Sequence, residues 1–216
     1  MAEFGLAKVH NFNVLVLLSK EITFHAVAAL EAIELILAEP EGESVWEALY
    51  ATAFHAACTG SFMLANLKRN DTVTEEFPGR EMAFRLITGV SEDMTAIKHV
   101  RDAMIHSDER LEAEWIRLER KGENTERIRM RAIGALPGDC SVIVNWDPAR
   151  RELSGREGIT SRQTNVAYYT VELLDLRAKL MNLHNGASRF EPRMKAMKPG
   201  KNLLHTVEKQ LPPPRP

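Results

Sequence analysis

The sequence predicts an all-α protein, an up-and-down helical bundle of four to five helices with a small β-hairpin insertion before the last long helix. Three observations carry that expectation. Apolar residues recur at helical spacing through most of the first 120 residues and again from about 165 to 184. Start and stop signals bracket several of these runs. Only between 127 and 156 does the pattern change to the alternation of short strands. A chain of 216 residues is long enough for one good core, so the expected helical domain spans 1–186, with the insertion at about 125–160 and a basic, proline-containing tail at 187–216.

The first helix is predicted between Phe12 and Ala38, with Val14, Leu17, Leu18, Ile22, His25, Ala29, Ile33 and Leu37 on its inner face, and Glu39-Pro40 ending it. His25 falls on that face and is expected to be a core histidine. Ser44 and Glu47 have capping-box spacing and open a second helix running to about Arg69, whose alanines suit close packing. Asn70 to Gly79 is a loop, and a short apolar segment, Ala83 to Val90, leads to Ser91-Glu92-Asp93, which reads as a helix N-terminus. The helix that follows is expected to run unbroken to about Arg120 and to stop at Gly122. Two or three short strands are placed from Arg127 to Arg156, with a turn at Asp147-Pro148. The last helix is expected from Thr164 or Asn165 to His184, with Val166, Tyr169, Leu173, Leu176, Leu180 and Leu183 facing inward. Trp46 and Trp115 lie on apolar faces and are expected in the core, whereas Trp146, beside the predicted turn, is the tryptophan expected at the surface.

Composition narrows the function classes. With 28 Lys and Arg against 30 Asp and Glu, no global field draws the chain to nucleic acid or an anionic membrane, so a polyanion needs a local patch. Cys58 and Cys140 show no ligand spacing, which argues against a disulfide scaffold and a zinc knuckle and for a reducing compartment. The N-terminal stretch lacks signal-peptide order, and the apolar run after it is broken by Ser19, Lys20, Glu21 and His25. The expected location is cytoplasmic, with no membrane partner.

Titratable groups are arranged rather than scattered in one stretch, Thr95 to Leu111. Ile97, Val100, Met104 and Leu111 form its core face. His99, Asp102, His106 and Arg110 follow one another at three or four positions on the other face, with Arg101 beside Asp102, and with Asp108 and Glu109 after His106. The spacing Arg101-x4-His106, with Asp directly after the Arg and His-Ser-Asp-Glu-Arg closing the run, resembles the signature of the HEPN domains. That resemblance covers roughly residues 10–186. It implies a small helical bundle, a homodimer pooling two motifs in one groove, metal-independent ribonuclease activity of the toxin or defence kind, RNA and an antitoxin protein as partners, and no cofactor.

Cleaving RNA through its own 2′-hydroxyl needs a base that titrates near neutrality, the role open to His106. The phosphorane needs a permanently charged, forked donor, for which Arg101 is the candidate. Asp102, four residues before His106, is placed to orient the imidazole. His99, Asp108 and Arg110 are the candidate binding residues, although a local ion pair between Arg110 and Glu114 is the plainer expectation for that arginine. On a straight helix Arg101 and His106 stand roughly 140° apart, so a bend, a wrapped side chain or a second subunit is required. Two other readings compete. One is a non-catalytic HEPN-like dimer that binds RNA, a nucleotide or a protein, its charges forming surface ion pairs. The other is a metal site of His99, Asp102 and His106, which is weaker because three ligands on one helix rarely converge without a second helix. The arginines of 127–131 and 150–156 are the further candidates for gripping phosphates.

Overall fold

The structure, a computed structural model, describes residues 9–42, 44–63, 85, 88–135, 141–158 and 167–196. Its elements in chain order are α1 (Val9–Ala38), α2 (Val45–Met63), α3 (Thr95–Ile105), α4 (Ser107–Lys121), a 3-10 turn (Thr125–Arg127), β1 (Ile128–Ile133), β2 (Ser141–Asp147), β3 (Glu152–Arg156), β4 (Tyr168–Glu172), α5 (Leu173–Ser188) and α6 (Phe190–Ala196). The expected loop at Asn70–Gly79, most of the segment Ala83–Val90, Cys140 and the tail from 197 onward lie outside the described residues. Contacts divide the chain into two compact units, one drawn from 1–27, 58–92 and 181–216, the other from 28–57 and 93–180.

In the first unit Ser19 is buried and its Oγ donates to the Ala187 carbonyl at 2.6 Å. His25 is mostly buried, as a core histidine should be, with its ring stacked on Phe62 at 5.4 Å. Burial draws its pKa below the ordinary imidazole value, against the opposing pull of Glu21. Leu17 departs from expectation, with 59% of its surface exposed, whereas Ile22, Ala29 and Ile33 of the same predicted face are buried.

The second unit overturns the predicted fold class. It holds a four-stranded mixed sheet in the order β1-β2-β3-β4, so the protein is α/β and not a helical bundle with a small hairpin. β1 and β2 pair in parallel, Ile128 against Ser141 through Ile133 against Trp146, and the other two pairings are antiparallel. Two properties hid the sheet. β2 is buried at six of its seven positions, so its apolar run lacks the alternation of a half-exposed hairpin strand. β4, Tyr-Tyr-Thr-Val-Glu, consists mainly of strand-favouring residues, but Tyr169 happens to fit the helical spacing of Leu173, Leu176 and Leu180 that follows it. The helix predicted from Thr164 or Asn165 is therefore α5 and begins at Leu173, where Glu172 caps it by accepting from the amides of Leu174 (2.9 Å) and Asp175 (2.6 Å).

The same change reverses two tryptophans. Trp146, on β2, is fully buried and its Nε1 donates to the Pro40 carbonyl at 2.8 Å, while Trp115 on α4 is 47% exposed. Trp46 is half-buried under the Arg131 guanidinium, 5.7 Å from its ring centre.

Helix α3 packs on β2, β3 and β4, and the contact depends on Gly155. A Cβ there would stand 2.8 Å from the Val100 Cα and 2.9 Å from the Ala103 Cβ, so β3 can approach the helix only where a side chain is missing. Helix α4 packs on β1 and β2 and is tied down by Glu114, a carboxylate with no exposed surface. Arg117 donates to it from Nε and Nη2 at 2.7 and 2.8 Å, Arg156 from Nη2 at 2.5 Å, and Ser141 from its hydroxyl. Arg156 is equally buried and also donates from Nη1 to Ser141 Oγ at 3.0 Å. Burial alone would raise the Glu114 pKa, but these hydrogen bonds and the Arg156 charge outweigh it and hold the group at about 2. The partner expected for Glu114 from local spacing, Arg110, is not among its ion-pair or hydrogen-bond partners.

Two stability measurements check these contacts. Gly155→Ala should lower the urea midpoint by an amount equivalent to about 1–3 kcal/mol, the usual cost of overpacking, and an unchanged midpoint would show that α3 does not press on β3. Glu114→Gln leaves Arg156 buried without its counter-charge and should cost about 3–5 kcal/mol. Because the folded carboxyl titrates at about 2 rather than its ordinary 4.5, its stabilisation is complete above about 4.5 and is lost as pH falls towards 2. The wild type should therefore lose stability more steeply than the Gln variant across that window.

Candidate functional site

Helix α3 opens one residue after Met94, with the Asp93 Oδ1 accepting from the Thr95 amide at 2.9 Å, four residues beyond the expected Ser91 start. The helix expected to run unbroken to Arg120 bends at His106, whose φ of −102° and ψ of 35° leave the helical region. The ladder nevertheless continues through the bend. His106 N donates to Asp102 O and Arg110 N donates to His106 O, both at 3.1 Å. Beyond it α4 carries Asp108 and Glu109 in its first turn and Arg120 and Lys121 in its last, the arrangement the helix dipole favours. It ends at Gly122, in the left-handed region with φ 66°, as the sequence predicts.

The bend opens a cleft of about 380 Å³ whose described lining is Asp102, His106, Glu109, Arg110, Ala113 and Gly158. Three of the predicted site residues, Asp102, His106 and Arg110, are thus brought together. The other three stand apart from that lining. Arg101 lies with Nε 3.0 Å from the Asp102 Oδ1. Asp108 is exposed in the first turn of α4. His99 stacks on Tyr169 with ring centres 4.0 Å apart and planes at 14°.

Within the cleft the expected Asp102–His106 pair is not formed. The imidazole is 52% exposed, and it lies instead beside Glu109, with Oε1 3.5 Å from Nδ1. The bend explains the exchange, since Asp102 belongs to α3 and Glu109 to the first turn of α4. Arg110 is half-buried and its Nη1 is shielded from solvent with no hydrogen-bond partner among the described residues. Burial lowers its pKa, opposed by the charges of Asp102 and Glu157, and Arg156 adds to the lowering. His99, Asp102 and His106 do not converge as a ligand set, and among the described residues no group of three or more His, Cys, Asp or Glu is placed to hold a metal.

Three contributors escaped sequence reasoning. Glu109 was visible as an acidic residue three positions after His106, but the four-residue spacing to Asp102 competed with it. Tyr169 and Glu157, joined by a hydrogen bond of 3.2 Å from the tyrosine hydroxyl, come from the sheet, and nothing local signals that they face this cleft's arginine. The arginines proposed for phosphates also divide. Arg156 is wholly buried on Glu114, and Arg129 donates from Nη1 to the carbonyls of Glu126 and Ile128 at 2.6 and 2.9 Å. Among the described residues no helix is long and apolar enough to cross a membrane. Comparison of the chain with protein-family models, curated proteins and solved structures gives no match.

Proposed function

We propose that this protein is a metal-independent endoribonuclease of the HEPN toxin or defence type. The observation that carries the reading is a half-exposed imidazole, His106, sharing one open cleft with a guanidinium, Arg110, whose Nη1 has no hydrogen-bond partner among the described residues. Those are the two groups that cleavage by an internal nucleophile needs. Imidazole accepts the proton of the 2′-hydroxyl, since its ordinary pKa lies near neutrality. The O2′–P bond forms, the P–O5′ bond breaks, and the 5′-oxygen leaves with a proton from solvent. Glu109, facing Nδ1, favours the tautomer protonated there and leaves Nε2 to take the substrate proton.

A homodimer belongs to the same reading. Ile105, Trp115 and Ile116, between 39 and 50% exposed, leave large apolar side chains at the surface of the two helices that carry the cleft, apolar surface that a second copy would cover. A second reading, a dimeric RNA-binding or interaction module without turnover, draws on the Arg101–Asp102 ion pair, which commits the motif arginine to its neighbour.

The two readings separate in one assay. Total RNA incubated with the folded protein in excess EDTA should be cut to fragments ending in 2′,3′-cyclic phosphate, and His106→Ala should slow the reaction about 10²–10⁴-fold. Undiminished cleavage by His106→Ala would remove the assigned base. A folded wild type that binds RNA but never turns it over would leave the binding module.

A further inference from the structure

The spacing of the sequence motif assigns the phosphate to Arg101, but the geometry points to Arg110 as the catalytic arginine that touches the scissile phosphate, an inference that rests on the ribonuclease reading. Arg110 stands one helical turn beyond His106, linked to it through the backbone bond from Arg110 N to His106 O, so the two side chains rise from successive turns of one helix face. Both line the cleft, and Arg101 is not among its described lining residues. The Arg110 Nη1 is out of solvent and makes no hydrogen bond among the described residues, which leaves a desolvated donor whose bond a phosphoryl oxygen would complete.

Arg101 also has a buried Nε without an aligned hydrogen bond, but that atom lies 3.0 Å from the Asp102 carboxylate. Its role is different. The groups facing the Arg110 guanidinium are Asp102 from α3, Glu109 from its own helix, and Glu157 and Arg156 from β3 and the residue after it. Three of the four are carboxylates, which would repel an incoming phosphodiester. Arg101 offsets Asp102, and Glu109, 75% exposed, is screened by solvent. Glu157 accepts from the Tyr169 hydroxyl. Arg101 is therefore a positioning residue that keeps Asp102 from competing with the substrate for Arg110.

The two arginines differ in what their loss should do. Arg110→Ala should cut kcat about 10²–10³-fold in the EDTA assay, the usual cost of removing a donor to a developing oxyanion. Arg110→Lys keeps the charge without the fork and should remain at least about tenfold slow, with the folded state checked by thermal melting. Arg101→Ala should act chiefly on KM, by less than about tenfold. Binding of a non-cleavable 2′-O-methyl RNA should show a slope of log affinity against log salt lower by about 0.7 in Arg110→Ala, one phosphate contact on a single strand. Wild-type kcat and an unchanged salt slope in folded Arg110→Ala, or a kcat loss in Arg101→Ala equal to that in Arg110→Ala, would overturn the assignment alone. No turnover by the wild type would instead overturn the ribonuclease reading beneath it.

Discussion

A carboxylate taken fully out of water is tolerable only when its oxygens are filled by donors, and in this protein Glu114 meets that condition with two arginines and a serine from three parts of the chain. Arg117 comes from the next turn of α4, Ser141 begins β2 and Arg156 ends β3. The cluster therefore fixes α4 in rotation and in position along its axis. A helix rotated by one residue would swing Glu114 about 100° away and leave a buried guanidinium with no counter-charge. Because a helix is rigid over a few turns, the same constraint sets where Arg110, one turn earlier, and the bend at His106 must lie.

Helix α3 answers to another constraint. Val100 and Ala103 must face the missing side chain of Gly155, while strand alternation puts Arg156, one residue on, towards the opposite face of the sheet. One straight helix cannot satisfy a close approach to one face of β3 and an ion pair with a side chain from the other. The change of direction falls between the two, at His106, and neither glycine nor proline is needed because the hydrogen-bond ladder survives it. The bend turns the imidazole away from Asp102 towards Glu109 and opens the space that the cleft occupies.

These relations explain which features were legible in the sequence. α1, the opening of α2 directly after Ser44, and the stop at Gly122 follow from local periodicity and capping, and they stand close to where those signals put them. The polar stripe was legible as a stripe, because spacing along a helix is local information. The sheet was not, since a strand buried on both faces loses its alternation and Tyr169 matched the wrong period. The tryptophans show the same limit. Trp146 looks like a turn residue from its neighbours and is buried in a strand whose register sets it between Ile133 on β1 and Leu153 on β3, both outside its own segment. Glu114 is the strongest case, because the four-residue rule offered Arg110 and the actual partner, Arg156, lies 42 residues away.

That substitution of partners connects the core to the chemistry. Had α4 lain on the surface of a bundle, Arg110 and Glu114 would have formed the i, i+4 pair that their spacing favours, and the guanidinium would have been spent on it. Arg156 and Arg117 fill Glu114 instead. Arg110 is left one turn away beside the charges of Glu157 and Asp102, its Nη1 without a bonded partner among the described residues. A chain with no net excess of basic residues can still leave a guanidinium open to an anion if its fold withholds the carboxylate four residues along the helix from that group. The buried ion cluster withholds Glu114 in this way, so the same contacts that fix α4 on the sheet leave Arg110 in the cleft with a donor unfilled among the described residues.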